Sequence, residues 1–310
     1  MNIACLSLSI CLALVLATLF AFGGGAEDSP AAAPVETEGF IDSGGVKLHY
    51  VARGEGPLCV LLHGFPDFSW TWRRQLPELS RRYRAVALDL RGYNLSDRPE
   101  GVESYAMDKL VADVLSVVDH FGAERAVIAG HDWGGAIAWS FAMSHPARTE
   151  RLMIFNLPHP KGLLRELATN PLQQAASAYA RGFQEPDAAK SLTPDGLVGI
   201  LSLLTRLDGE EKERYREAFR RSSMEALLAY YKANYPRPPY SDDREFPPVK
   251  CPVLMFHGLK DPALLPGALN DTWKWVEKDL TLITVPDAGH WVHLDATDLV
   301  NRSMMAWLAR

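Results

Sequence analysis

Apolar and polar positions fall into two alternating rhythms along the chain. "GVKLHYV" (Gly45–Val51) alternates and predicts a strand, while "PLCVLLHG" (Pro57–Gly64) and "YRAVALDL" (Tyr83–Leu90) are nearly continuous apolar runs, the pattern of strands buried on both faces. Between these runs Trp70–Leu79 has helical spacing. Met107–Phe121 predicts an amphipathic helix with Leu110, Val111, Val114, Leu115, Val118 and Phe121 on one face. "RAVIAG" (125–130) and "RLMIFNL" (Arg151–Leu157) read as strands flanking a helix from about Trp133 to His145. After Pro158 the strand pattern stops, and residues 158–247 hold helical, aromatic and proline-rich pieces. It resumes at "CPVLMFHG" (Cys251–Gly258), followed by a helix near Leu265–Val276, the strand "LTLITV" (Leu280–Val285) and a last helix over Val292–Leu308. This alternation implies an α/β core, 39–157 and 248–310, built on a mostly parallel sheet with helices on both faces. The helical insertion 158–247 is expected at the carboxyl ends of the strands, where open α/β sheets bind ligands.

The N-terminus breaks this rhythm. Ile3–Phe22 has no charged residue, and about 20 apolar residues suffice to cross a bilayer as a helix. Small residues through Ala26 suit a signal-peptidase site, so 1–26 reads as a cleaved signal in preference to a retained anchor. Either outcome puts the rest of the chain outside the cytosol, and a retained 3–22 would associate with a membrane. Residues 27–38, rich in Ala, Pro and Glu, are expected to be a disordered linker. Among 310 residues there are four cysteines, of which Cys59 and Cys251 start apolar runs and are expected in the core as small hydrophobes. No spacing of Cys and His suggests a metal site. The formal net charge of −6 argues against a nucleic-acid surface, and nothing bears on oligomeric state.

"IAGHDWGGAIAW" (Ile128–Trp139) carries the chemistry. Gly130-His131-Asp132-Trp133-Gly134 has the form of a strand–turn–helix nucleophile elbow, with a carboxylate where a serine is usual. Asp132 is equally placed to be a simple N-cap. Two partners favour the elbow: His290 in "PDAGHWVH", after the last strand, and Asp261 in "HGLKDPALLP", just past the Cys251–Gly258 strand. Nucleophile, acid and histidine then follow in the order such elbow enzymes use. The turn at His63-Gly64-Phe65-Pro66 can aim a backbone N–H at a developing oxyanion, which makes Phe65 and Trp133 the main-chain donors.

"HGFPDFSWTWR", "LDLRGYNLSDRP", "AGHDWGGAIAW", "GLKDP" and "GHWVH" together resemble the α/β-hydrolase epoxide hydrolases, from about Gly39 to the C-terminus. The resemblance implies a mostly parallel eight-stranded sheet flanked by helices, with a helical cap inserted after the sixth strand. It also implies two cap tyrosines facing the nucleophile. "SAYARGFQEPD" resembles the first cap motif and puts one at Tyr179; "LLAYYKANYPRP" resembles the second and puts the other at Tyr231. Ala233 interrupts that second motif, which leaves Tyr230 and Tyr235 open. Asn94 stands where the family usually has Gly in a turn, a position that tolerates a left-handed backbone. His63, Pro66, Trp70, Phe155, Phe183 and Trp291 are expected to line the substrate pocket. The implied reaction is epoxide plus water to vicinal diol, through an ester on Asp132 that His290, oriented by Asp261, hydrolyses with water; it needs no metal ion and no organic cofactor. The alternative is a haloalkane or haloacid dehalogenase with the same fold and triad. The absence of serine at 132 disfavours a carboxylesterase, and the intact triad disfavours a catalytically dead binding protein.

Overall fold

The computed structural model describes residues 35–241 and 246–310. The apolar segment 3–22 and the first part of the expected linker lie outside the described residues. The sheet has the order β1-β2-β4-β3-β5-β6-β7-β8. Its strands are β1 (Glu36–Ser43), β2 (Val46–Arg53), β3 (Leu58–Leu62), β4 (Arg84–Leu88), β5 (Ala126–His131), β6 (Thr149–Phe155), β7 (Val253–Gly258) and β8 (Leu280–Val285). β2 runs antiparallel to β1 and β4, and the pairings from β4 through β8 are parallel.

The strand period of two sorts side chains onto two faces. On one face Val60, Leu62, Ile128 and Ile154 pack with Val114 of α2 (Met107–His120) and Ile137 of α3 (Trp133–Ser144), helices numbered after a short α1 (Leu76–Leu79). On the other face Leu61, Val127, Ala129 and Phe155 pack with Trp72, Leu76 and Leu79 and with Val300, Met304 and Trp307 of the C-terminal helix. Each large side chain buried in this way contributes about 1.5–3 kcal/mol. β3 and β5 are buried along their whole length, as their unbroken apolar runs require. Cys59 and Cys251 are buried free thiols.

Between β6 and β7 the described residues form α4 (Pro160–Thr169), α5 (Pro171–Ala176), α6 (Ala178–Phe183), α7 (Pro194–Leu204), α8 (Gly209–Arg221) and α9 (Met224–Asn234), and no strand. The starts follow local chemistry. Pro opens α4, α5 and α7 at its preferred first position, and Asp208 and Glu211 form a reciprocal capping box on α8.

Four expectations are corrected. β1 begins at Glu36, so the last residues of the supposed disordered linker belong to a strand; its outer half is solvent-exposed and is held by backbone pairing with β2 rather than by burial. The helix expected near Leu265–Val276 is two short 3-10 turns, Pro266–Leu269 and Thr272–Trp275, separated at Asp271, whose φ of 65° is left-handed. The helix expected over Trp70–Leu79 is a 3-10 turn, Ser69–Arg74, followed by α1, whose start holds Pro77. The last helix divides at Ala296 into α10 (Val292–Asp295) and α11 (Thr297–Leu308).

Candidate active site

β3 continues to β4 on one side of the sheet, while β5 lies against its other side. Successive connections therefore diverge between β3 and β5, leaving a crevice at their carboxyl ends. Asp132 sits there as the single residue between β5 and α3, at φ 50° and ψ −121°. An L-residue held in such a conformation costs of order 1–3 kcal/mol and persists only where its surroundings enforce it. Here the buried β5 and the largely buried α3 fix both ends. Gly134 provides the clearance, because a Cβ there would overlap the Leu62 carbonyl of β3. The Asp132 side chain makes no capping bond to α3, which removes the N-cap reading.

The carboxylate is instead engaged on both oxygens. Oδ1 accepts the Phe65 N–H at 2.9 Å, and Oδ2 lies 3.5 Å from His290 Nε2. The Trp133 N–H is the first amide of α3 and precedes that helix's first backbone bond, from the Ala136 N–H to the Asp132 carbonyl. On its other side His290 Nδ1–H donates to Asp261 Oδ2 at 2.7 Å. The loops carrying these two groups touch at Gly258, where a Cβ would overlap the Gly289 carbonyl. Burial opposes charge on His290, but the Asp261 charge and the hydrogen bonds to Asp132 and Asp261 outweigh it and raise its pKa to about 10. Burial likewise opposes ionisation of Asp132, yet the hydrogen bond and charge of His290 and the Phe65 N–H hold its pKa below the ordinary carboxylate value. The resting site is therefore a cation between two anions. His131, buried beside them, is neutral: burial and the His290 charge push it down to about 3.

Opposite the carboxylate stand two helices of the insertion. Tyr231 on α9 meets Phe65 edge-on at 5.5 Å and Trp133 at 5.0 Å; Tyr179 on α6 lies 6.2 Å from Tyr231, and Phe183 packs against all of Phe65, Tyr179 and Tyr231. Tyr231 is buried, whereas Tyr179 is 39% exposed and it is its hydroxyl end that is shielded; loss of solvent at both hydroxyls and then nearby negative charge, that of Asp132 included, raise both phenols well above their ordinary pKa, so they remain protonated donors. Tyr230, one residue and about a quarter turn away on α9, faces elsewhere and donates to the Arg91 carbonyl at 2.8 Å. Tyr235, one turn on, borders the same cluster at 6.1 Å from Tyr231.

A family model described as the alpha/beta hydrolase fold matches residues 57–297. The chain is 34% identical to the AB hydrolase superfamily protein YfhM of Bacillus subtilis over 87% of this chain and 96% of that one. It is 34% identical to epoxide hydrolase 4 of Mus musculus, covering 86% of this chain and 78% of the mouse protein. The crystal structure of the Bacillus megaterium epoxide hydrolase in complex with an inhibitor superposes with a TM-score of 0.83, at 33% identity, covering 88% of this chain and all of that one. This chain belongs to the α/β-hydrolase-fold epoxide hydrolases.

Four pocket residues anticipated in this hydrolase lie elsewhere. Phe155 falls on the opposite face of β6 from Leu152 and Ile154 and packs on Trp72 and Phe256 in the core. His63 is fully buried, with Nδ1–H donating to the Gly64 carbonyl and Nε2 accepting the Leu90 N–H, so it pins the loop that delivers the Phe65 amide. Trp70 is drawn to cations, lying against Arg73 and Arg214 in a groove that also contains Glu38 and His49. Trp291 backs onto His290 and donates its indole N–H to Asp67. Pro66 is buried after a cis peptide bond from Phe65, and only Phe183 of the six joins the tyrosine cluster. Asn94 has the left-handed φ of 44° that its place in the turn requires.

One residue of the site was not anticipated. Asn156, just past β6, has φ 41°; its Nδ2–H donates to Asp261 Oδ2 at 2.7 Å and its Oδ1 accepts the Gly258 N–H at 3.0 Å. Asp261 Oδ1 accepts the amides of Ala263 and Leu264. The acid that orients His290 is thereby fixed on both oxygens. Asn156→Gly allows the same backbone conformation and removes both side-chain hydrogen bonds, the one to charged Asp261 and the one from the Gly258 N–H, so urea denaturation at pH 7 should give a loss of at least about 1.5–3 kcal/mol; an unchanged midpoint would contradict this role.

Proposed function

We propose that this protein hydrolyses epoxides to vicinal diols through a covalent ester on Asp132. The observation that carries the reading is the pair of protonated phenols, Tyr179 and Tyr231, facing a carboxylate that is itself paired to a histidine–carboxylate couple. Curated and structural relatives bearing the name epoxide hydrolase support it.

Asp132 Oδ2, free of the Phe65 amide, attacks a ring carbon and the carbon–oxygen bond opens. A carboxylate can displace at a saturated carbon and leaves an ester that water can cleave; a serine there would leave a stable ether. The phenols suit the departing oxygen, since they give a hydrogen bond, then a proton, as charge develops. Forming the ester removes one of the two negative charges that keep His290 protonated. His290 then passes its proton to the phenolate left by ring opening, which restores the phenol, and the neutral imidazole becomes the base that activates water. Water attacks the ester carbonyl, and the oxyanion on Oδ1 is received by the Phe65 and Trp133 amides. Collapse expels the substrate oxygen, which takes up the proton of the newly formed acid, so the diol leaves and the carboxylate is restored beside protonated His290.

Removing the base should separate the two half-reactions. His290→Gln should form the ester but hydrolyse it about 10²–10⁴-fold more slowly, so intact-protein mass spectrometry should find substrate mass retained on Asp132. An unmodified protein that still turns over would sink the covalent route. Removing the donors tests the leaving group. Tyr179→Phe and Tyr231→Phe should each slow ring opening, and the double variant should lose about 10²-fold or more. An unaffected double variant that releases halide from haloalkanes would support the dehalogenase instead.

A further inference from the structure

Asp67, His131 and His293 come from three distant parts of the chain and meet behind the catalytic histidine. All three are buried, and one side-chain ligand atom from each lies within 4.8 Å of the others. Their hydrogen bonds determine which atoms remain free. His131 Nε2 is 3.0 Å from the His290 carbonyl, an oxygen that can only accept, so Nε2 carries the proton and Nδ1 is a bare lone pair. His293 Nε2 is 2.9 Å from the Thr71 hydroxyl; a proton on Nε2 has that oxygen as its acceptor, whereas a proton on Nδ1 would be a buried donor with no acceptor, so Nδ1 is left bare as well. Neither Nδ1 has a hydrogen-bond partner among the described residues. The two rings pack at 4.7 Å between centroids.

Two buried imidazole nitrogens without partners and the Asp67 carboxyl group, drawn together away from water, form the kind of ligand set that suits a borderline transition-metal cation. Their surroundings match as well. A metal-ligating histidine normally gives its other N–H to an oxygen, and both do so here. A ligating carboxylate is normally held by further donors, and Asp67 accepts from the Phe68 N–H and Tyr215 O–H on Oδ1 and from the Trp291 indole on Oδ2. We propose that Asp67, His131 and His293 bind one divalent cation of the zinc class. This site takes no part in the proposed reaction. It touches it at one point only, because His131 also holds the His290 carbonyl, so an ion there would brace the loop that carries the base.

The test uses full-length protein freed of metal with chelator and titrated with zinc chloride by calorimetry. One equivalent should bind, and His293→Ala should weaken that binding about 10- to 100-fold or more. Absence of binding to the wild type at millimolar zinc, or equal affinity in the variant because His290 and its carboxylates hold the ion, would overturn the assignment. Wild-type crystals soaked in zinc give a reading that needs no variant. An anomalous peak about 2.0–2.1 Å from both Nδ1 atoms is expected. Ordered water alone at that point, or a peak at His290, would refute it.

Discussion

Everything in this site depends on the backbone of Asp132, bent to a positive φ between a buried strand and a buried helix. The bend turns one carboxylate out of the sheet at the place where the chain connections diverge. It also aligns the two oxygens for different work, one on the Phe65 amide and one toward His290. The strain is affordable because β5 lies between β3 and β6, both paired with it in parallel, so the turn cannot relax without unpacking the middle of the sheet.

Charge then sets the order of events. A histidine held between two carboxylates, with its pKa raised to about 10, already carries its proton at neutral pH and has no lone pair to offer. It becomes a base when one neighbour is neutralised, and alkylation of Asp132 does that. The same arrangement keeps Asp132 ionised and nucleophilic in the resting enzyme. The lid phenols follow the opposite logic: hydroxyls shielded from solvent beside a negative charge stay protonated, the state a departing alkoxide needs. Asn156 supports the far end of the chain of contacts by sharing Asp261 Oδ2 with His290.

What the sequence made legible was local. Unbroken apolar runs marked β3, β4 and β5 because those strands are buried on both faces, and the turn around Asp132 was visible because its neighbours are glycines at fixed offsets. β1 was missed because an edge strand exposed along its outer half carries little apolar signal. Trp70, Phe155 and His63 were placed in the pocket because they stand near motif residues in the chain; alternation along β6, cations beside Trp70 and backbone partners of His63 point them elsewhere. Asn156 left only a faint mark, an asparagine closing an apolar strand two residues before a proline, a type of residue that accepts a left-handed backbone. Asp67, His131 and His293 have no spacing that could announce them, since only the fold brings them together.

The most direct measurement follows oxygen through a single turnover. With enzyme in excess over epoxide in ¹⁸O-enriched water, the first diol should carry unlabelled oxygen taken from Asp132, and the label should appear in the Asp132 carboxylate by peptide mass spectrometry. Label in the diol of that first turnover, with Asp132 unlabelled, would mean that water attacks the epoxide directly and that no ester forms.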